Sequence, residues 1–279
     1  MSKGLKIKKL QKNQLNSGRG QGTGNDYIPF IQAHDNKVAS EGWLTRHLGW
    51  KTKRTHHTLS NYERNYLYFL EWVDGVVDIR EQYPLLPLNK TEEIAKQLGI
   101  KHAHLDGVPV IMTTDFVITL KTPNGLIDIV RTVKPASKLT KRTLELFEIE
   151  KRFFKEQGIN WGIILGNKLP NNLISNIEWI YEGRYLDTRP GVDEELVNLI
   201  SNSLFQQISE DNCSTSISKI CLRCDKIFGI TTGTSMFILK HMLAIKKWET
   251  DMKVKIKESN PLQIINLEGQ QPIINKNIG

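Results

Sequence analysis

Asp115 and Lys134 stand near the two ends of a stretch that is otherwise β-branched and apolar, VIMTTDFVITLKTPNGLIDIVRTVKPA, running from Val110 to Ala136. A carboxylate can hold a divalent cation. A lysine, a compact point charge with donors only, can orient or activate a water, so the two together would suit a metal-dependent phosphodiesterase. A structural ion pair is the plainer use of the same residues. Two further carboxylates join them when helical periodicity is considered. At ~100° per residue Glu63 falls inside the apolar arc of Tyr62, Tyr66, Phe69, Leu70 and Val73, with Glu71 on the far side. Glu150 falls amid Leu146, Phe147, Ile149, Phe153 and Phe154, while Glu145, Glu148 and Glu156 gather on the polar face. An inward carboxylate needs a partner, and a metal is one candidate.

The elements that must position these residues follow from local chemistry. Thr122-Pro123-Asn124-Gly125 favours tight reversal, so the 110–136 stretch is expected to be a β-hairpin in which Thr132 and Lys134 share one face and Val133 takes the other. Ser60 followed by Glu63 reads as a capping box opening a helix, a role that would occupy Glu63 without any metal. Val76 to Pro84 reads as a strand, Thr91 to Leu98 as a short helix stopped by Gly99, and Thr140 to Gln157 as an amphipathic helix stopped by Gly158. Ile159 to Leu165 is a continuous apolar run of the kind buried on both faces, and Asn171 to Tyr181 is another helix. The order implies an α/β core. Beyond Tyr185-Leu186-Asp187-Thr188-Arg189-Pro190-Gly191, a linker by composition, helices are expected over 192–208, 216–227 and 234–246, then paired strands over 248–256 and 262–267. A mobile tail is expected from Gly269.

Charge is unevenly placed. The chain of 279 residues carries a net charge of +8, with Lys3, Lys6, Lys8, Lys9, Lys12 and Arg19 preceding the first acidic residue, Asp26. This arm, residues 1–25, reads as a flexible cationic tail suited to phosphate contact, although solvated basic tails are common. The glycines of Ser17 to Gly24 match neither a Walker loop nor a dinucleotide fingerprint and read as an extended segment allowing close backbone approach. Lys53, Arg54 and His56, in the run Lys51 to His57, are read as surface or phosphate-contact groups, as is Arg19. Residues 190–279 hold ten basic and ten acidic side chains, and this neutrality favours a protein partner over DNA, although Lys246, Lys247, Lys253, Lys255 and Lys257 could serve DNA. No apolar run approaches ~18 residues, and the N-terminus has no apolar leader, so a cytoplasmic location without membrane association is expected. Cys213, Cys221 and Cys224 suit a reducing compartment; with only His241 nearby they make a poor zinc site, and Cys221 and Cys224 read as small core residues on one helix face.

A helix bearing Glu63, a strand bearing Asp115 and a next strand ending in Lys134 follow the order of restriction-endonuclease-like PD-(D/E)xK nucleases. More specific are Gly18-Arg19-Gly20-Gln21-Gly22 with Asp26-Tyr27-Ile28-Pro29, Asp78-Ile79-Arg80-Glu81-Gln82-Tyr83-Pro84-Leu85-Leu86-Pro87, Thr114-Asp115-Phe116, Val133-Lys134-Pro135-Ala136 and Ile177-Glu178-Trp179-Ile180-Tyr181. Together these closely resemble the TnsA family, endonuclease subunits of heteromeric, Tn7-like cut-and-paste transposases, over about residues 15 to 182.

The resemblance implies a nuclease domain over 26–183, a mixed sheet flanked by helices, and a winged-helix-like domain over 190–279. It implies Mg²⁺-dependent cutting of the non-transferred (5′) strand at transposon ends, Mn²⁺ substituting, with Glu63, Asp115 and Lys134 catalytic. It also implies three partners: transposon-end DNA, a DDE-type recombinase that cuts and joins the other strand, and an ATPase regulator docking on the C-terminal domain. The sequence departs from the pattern at Thr132, where such nucleases usually carry an acid or an amide. Thr132 is thereby a doubtful metal ligand, with the Val133 carbonyl or Glu150 as replacements. The same departure is the best argument for the alternative, a non-catalytic DNA-binding or scaffolding subunit that keeps the nuclease fold.

Overall fold

The computed structural model describes residues 3–35, 45–211 and 214–266, which divide into two compact units at Leu169 and Pro170. Trp43, Cys213 and the tail from Gly269 lie outside the described residues. The division precedes the 183–190 boundary expected from linker composition, because the 171–180 helix belongs with the C-terminal helices.

The first unit is built on a four-stranded mixed sheet of β3 (Val76–Pro84), β6 (Thr113–Thr122), β7 (Gly125–Lys134) and β8 (Asn160–Leu165), in that spatial order. The β3–β6 and β6–β7 pairs are antiparallel and β7–β8 is parallel. The hairpin expected from the Thr-Pro-Asn-Gly turn is β6–β7, closed by Thr122 paired with Gly125 at φ +114°. Helix α4 (Lys141–Lys155) carries the chain from β7 to β8 and, with α3 (Leu88–Gln97), covers one face. There Ile149, Phe153 and Phe154 meet Val117, Val130, Leu85 and Ile94. Helix α2 (Asn61–Trp72) covers the other, with Tyr66 edge-on to Phe116 at 5.6 Å between ring centres. β8 is the sheet's edge and only half-buried, rather than buried on both faces as its apolar run implied.

The sheet forks. The β6–β7 ladder stops at Phe116↔Arg131, whereas β6 stays paired with β3 out to Thr113 and β7 stays paired with β8 out to Lys134. Asp115 and Val133 sit where the two strands part.

Around this core, the Lys51–His57 run belongs to a small hairpin of β1 (Thr45–Leu48) and β2 (Thr55–Thr58). It covers the far side of α2. Glu71, expected on the polar side, is therefore buried, and its Oε2 accepts the Lys51 N–H at 3.0 Å. The basic arm, expected as a flexible tail, forms a helix, α1 (Lys3–Asn16). Ile7 is buried, and the Gln11 side chain accepts the Ile111 N–H at 2.6 Å and donates to the Pro109 carbonyl of the β4 (His104–Leu105) and β5 (Val108–Pro109) hairpin. The glycines after it do allow close approach. Gly20 and Gly22 have φ of +79° and +86°, and a Cβ on Gly20 would lie 2.3 Å from Pro84 Cγ.

The second unit packs α5 (Asn171–Ile180), α6 (Glu194–Glu210), α7 (Ile217–Phe228) and α8 (Thr234–Ala244) around Ile200, Leu204, Ile220, Ile238 and Leu239. Cys221 and Cys224 are buried on one face of α7, as their spacing implied. His241 is engaged by the Gly183 carbonyl at 2.8 Å. The long wing strands expected over 248–256 and 262–267 are absent among the described residues, where pairing is confined to β9 (Trp248–Glu249) with β10 (Ile265–Asn266). The intervening backbone is used elsewhere. Asn176 holds the Met252 and Val254 carbonyls and the Ile256 N–H, and the Glu258 and Asn260 carbonyls accept the first amides of α7, a common way to satisfy a helix start. No helix among the described residues is long and apolar enough to cross a membrane.

Candidate active site

Glu63 serves the start of α2 and also faces inward, although the backbone amide its carboxylate takes is that of Leu59 and not that of Ser60. Ser60 caps α2 by accepting the Glu63 N–H at 3.2 Å, and the carboxylate returns to take the Ser60 hydroxyl at 2.9 Å. The side chain nevertheless points inward and is 5 % exposed. Its Oε2 accepts the Leu59 N–H at 2.9 Å and the Gln82 amide at 3.2 Å. Burial, then the charge of Asp115, pushes the carboxyl up to about 7, against the pull of its hydrogen bonds and of Lys134.

Asp115 lies at the fork. Its Oδ2 takes the Val133 N–H at 2.7 Å, a bond that stands in for a ladder carbonyl just past the last β6–β7 pair. Burial raises this carboxyl too, opposed by Lys134 and the Val133 amide. Glu63, from α2, and Asp115, from β6, are near enough for the charge of Asp115 to act on Glu63, and the charge of Lys134 favours both carboxylates.

Glu150 comes from α4 on the opposite side of the sheet. Its Oε1 accepts the Thr132 hydroxyl at 2.6 Å and the Trp161 indole at 2.8 Å, and Thr132 lies 3.2 Å from Thr114. Burial pushes it up to about 7, with Asp115 adding to the effect against the hydrogen bonds from Thr114, Thr132 and Trp161. Thr132 is therefore turned to Glu150, and both stand behind Asp115.

Among the described residues no three His, Cys, Asp or Glu side chains converge enough to hold a metal ion by themselves. The pair Glu63 and Asp115 fits a cation that keeps part of its water. It offers oxygen alone, the preference of Mg²⁺ and Mn²⁺, and the raised carboxyls mark a buried pair short of positive charge.

The expected phosphate contacts fare differently. Arg54 and His56 are buried around Glu81, and neither is free to touch DNA. Arg54 makes two bonds to the Glu81 carboxylate at 2.6 and 2.8 Å, and His56 lies 2.8 Å from it and 2.8 Å from the Thr52 hydroxyl. Such charges can be buried only because they are paired. Arg19 ties the glycine segment down through Asp35 at 2.6 Å and the Phe30 carbonyl at 3.1 Å. Lys53 alone of the four is exposed, at the tip of the β1–β2 turn with a φ of +53°. Gln82 escaped notice in the sequence because it reads as an ordinary strand residue; its only signal was an amide within an otherwise charged and aromatic run.

Comparison with known proteins matches two segments of the chain. A family described as TnsA-like endonuclease N terminal matches residues 74–166, and one described as TnsA endonuclease C terminal matches residues 169–252. Asp115, Lys134 and Glu150 lie in the first match; Glu63 precedes it. The protein named Transposon Tn7 transposition protein TnsA, of Escherichia coli, is 34 % identical over 232 residues, covering 83 % of this chain and 81 % of that protein.

Proposed function

This chain belongs to the TnsA endonuclease family, and on that premise we propose that it is the Mg²⁺-dependent endonuclease subunit of a Tn7-type transposase, cutting the non-transferred strands at transposon ends. The observation that carries the reading is the convergence of two buried carboxylates and a lysine at the forked end of the sheet.

Glu63 and Asp115 would hold the cation. When bound, Mg²⁺, with Mn²⁺ as substitute, supplies Lewis acidity toward a phosphodiester and makes a coordinated water a better nucleophile. The chain's own part is positional. The Val133 amide fixes the Asp115 carboxylate, and Ser60 and Leu59 fix that of Glu63. Lys134, with donors only, is suited to hold the attacking water and to counter charge building on the phosphate. Glu150, reaching Thr132 from behind, supports the strand that bears Lys134.

The partners follow from the same reading: transposon-end DNA, a DDE-type recombinase for the other strand, and an ATPase regulator on the second unit. Helices α6–α8 with the short β9–β10 pair support a winged-helix-like docking unit, and the neutral balance of residues 190–279 supports a protein partner. The setting is the bacterial cytoplasm, at the nucleoid.

The test is strand-resolved cleavage of end DNA by the complete transposase with Mg²⁺. Asp115→Ala should fold normally and abolish non-transferred-strand cutting, and chelation should abolish it in the parent. Normal cutting by folded Asp115→Ala would end the site assignment and favour the scaffolding alternative.

A further inference from the structure

Gln82 holds a φ of +50° in the middle of β3, a left-handed conformation rarely adopted by a residue with a side chain and one that persists where surroundings enforce it. The side chain is 3 % exposed. Its amide nitrogen donates to Glu63 Oε2 at 3.2 Å, its amide oxygen is 3.4 Å from the Thr113 hydroxyl, and its backbone carbonyl accepts the Phe30 N–H at 3.2 Å.

This kink changes which side chains face α2. Thr114 and Phe116, two apart on β6, should share a face. Instead Thr114 meets Thr132 beneath α4 while Phe116 packs on Tyr66 of α2. On β3, Arg80 lies opposite Val117, and Tyr83, opposite Thr114, packs against the cluster that holds Val117, so these two, three apart, share the α4 face. Both breaks in alternation fall between the pairs Glu81↔Phe116 and Tyr83↔Thr114, the position of Gln82 and Asp115. The result is that Gln82 and Asp115 both address the Glu63 side.

We propose that Gln82 is a positioning residue for the metal-holding form of Glu63, an inference that rests on the nuclease reading above. A carboxylate offers roughly four acceptor positions. Leu59 and Gln82 fill two on Oε2 and Ser60 fills one on Oε1, leaving the last, on Oε1, for a cation. A lysine or arginine in place of Gln82 would neutralise the carboxylate and compete with the cation. A neutral amide fixes the oxygen and leaves the charge available. Partners of this kind orient metal ligands elsewhere, and their loss typically weakens metal binding by roughly 10- to 100-fold.

The experiment titrates the full-length chain with Mn²⁺, following free Mn²⁺ by electron paramagnetic resonance, alongside thermal melting. Gln82→Leu keeps the bulk and removes the amide; Gln82→Gly removes the side chain yet adopts φ +50° without strain. Both should raise the Mn²⁺ Kd by about 10-fold or more, and Gln82→Gly should keep or raise the parent Tm. Glu63→Gln gives the value for a lost site. Parent-like Mn²⁺ binding by both Gln82 variants, with Glu63→Gln weakened, would overturn the proposal and leave the nuclease reading standing. Parent-like binding by Glu63→Gln would overturn both. Lost affinity in Gln82→Gly only in step with several degrees of lost Tm would assign Gln82 a purely structural role. Should Gln82→Leu fail to fold, Gln82→Gly decides alone.

Discussion

Replacing Glu150 by Gln should stabilise the protein above neutral pH and leave it unchanged in acid. Glu150 has an ordinary carboxyl value of 4.5 and is pushed up to about 7 by burial. At ~1.36 kcal/mol per tenfold, ionising it inside the fold costs about 3 kcal/mol more than ionising it in the unfolded chain. Below pH ~4.5 both states hold the proton and nothing is lost. Between the two values the folded state binds more protons than the unfolded, so stability falls as pH rises and levels off above about 7. Gln mimics the protonated acid: its carbonyl can accept the same Thr132 hydroxyl and Trp161 indole that Oε1 accepts at 2.6 and 2.8 Å. The variant should therefore melt higher at pH ~8.5 by roughly 6–12 °C, at ~2–4 °C per kcal/mol for a unit of this size, and equal the parent near pH ~4.5. Calorimetric scans across that range decide it. A difference in Tm that does not vary with pH would refute the buried-acid argument. In the same variant, a higher Mg²⁺ requirement for half-maximal cleavage would place Glu150 in support of the metal, and an unchanged requirement would leave it a structural acid.

Other expectations follow from the geometry. Replacing Lys3, Lys6, Lys8, Lys9 and Lys12, all exposed on α1, with Gln should weaken DNA binding and flatten its log–log salt dependence by ~0.9 for each phosphate no longer neutralised; an unchanged slope excludes α1 from the interface. Glu81→Gln should destabilise by about 3–5 kcal/mol in chemical denaturation, since it strips the buried Arg54 of its counter-charge and disturbs the bond to His56. Burial alone would raise Glu81, but the charge of His56 and bonds from Arg54 and His56 hold it well below the carboxylate range; its contribution is present above the unfolded value and lost only in strong acid, as pH falls through the folded value. Gly22→Ala should lower the Tm by several degrees, because φ is +86° and a Cβ would lie 2.5 Å from the Asp26 carbonyl oxygen. An unchanged Tm would mean that the 17–26 segment is not held as described.

What could be read from the sequence was what local rules govern. The Thr122–Gly125 turn announced the β6–β7 hairpin, and helical periodicity turned Glu63 and Glu150 inward, because turn chemistry and the helix period act over a few residues. What escaped depended on distant segments. Glu71 looked solvated until the β1–β2 hairpin covered it, and Arg54 and His56 looked like surface cations until Glu81 of β3 gathered them in. The first wing strand failed because Asn176 claimed its backbone at Met252, Val254 and Ile256. Thr132 looked like a defective ligand, and its partner, Glu150, lies 18 residues away on another element. The fork was invisible, since where one strand leaves its neighbour is not written in either strand.

The Val133 amide at that fork has a spectroscopic consequence. Most strand amides are held by carbonyls whose charge never changes, but this one is held by a carboxylate at 2.7 Å. Its proton resonance should thus move when Asp115 gains a proton or shares its charge with a cation. In an isotope-labelled sample a single backbone signal becomes a gauge of the site's electrostatic state, readable without DNA, partners or turnover.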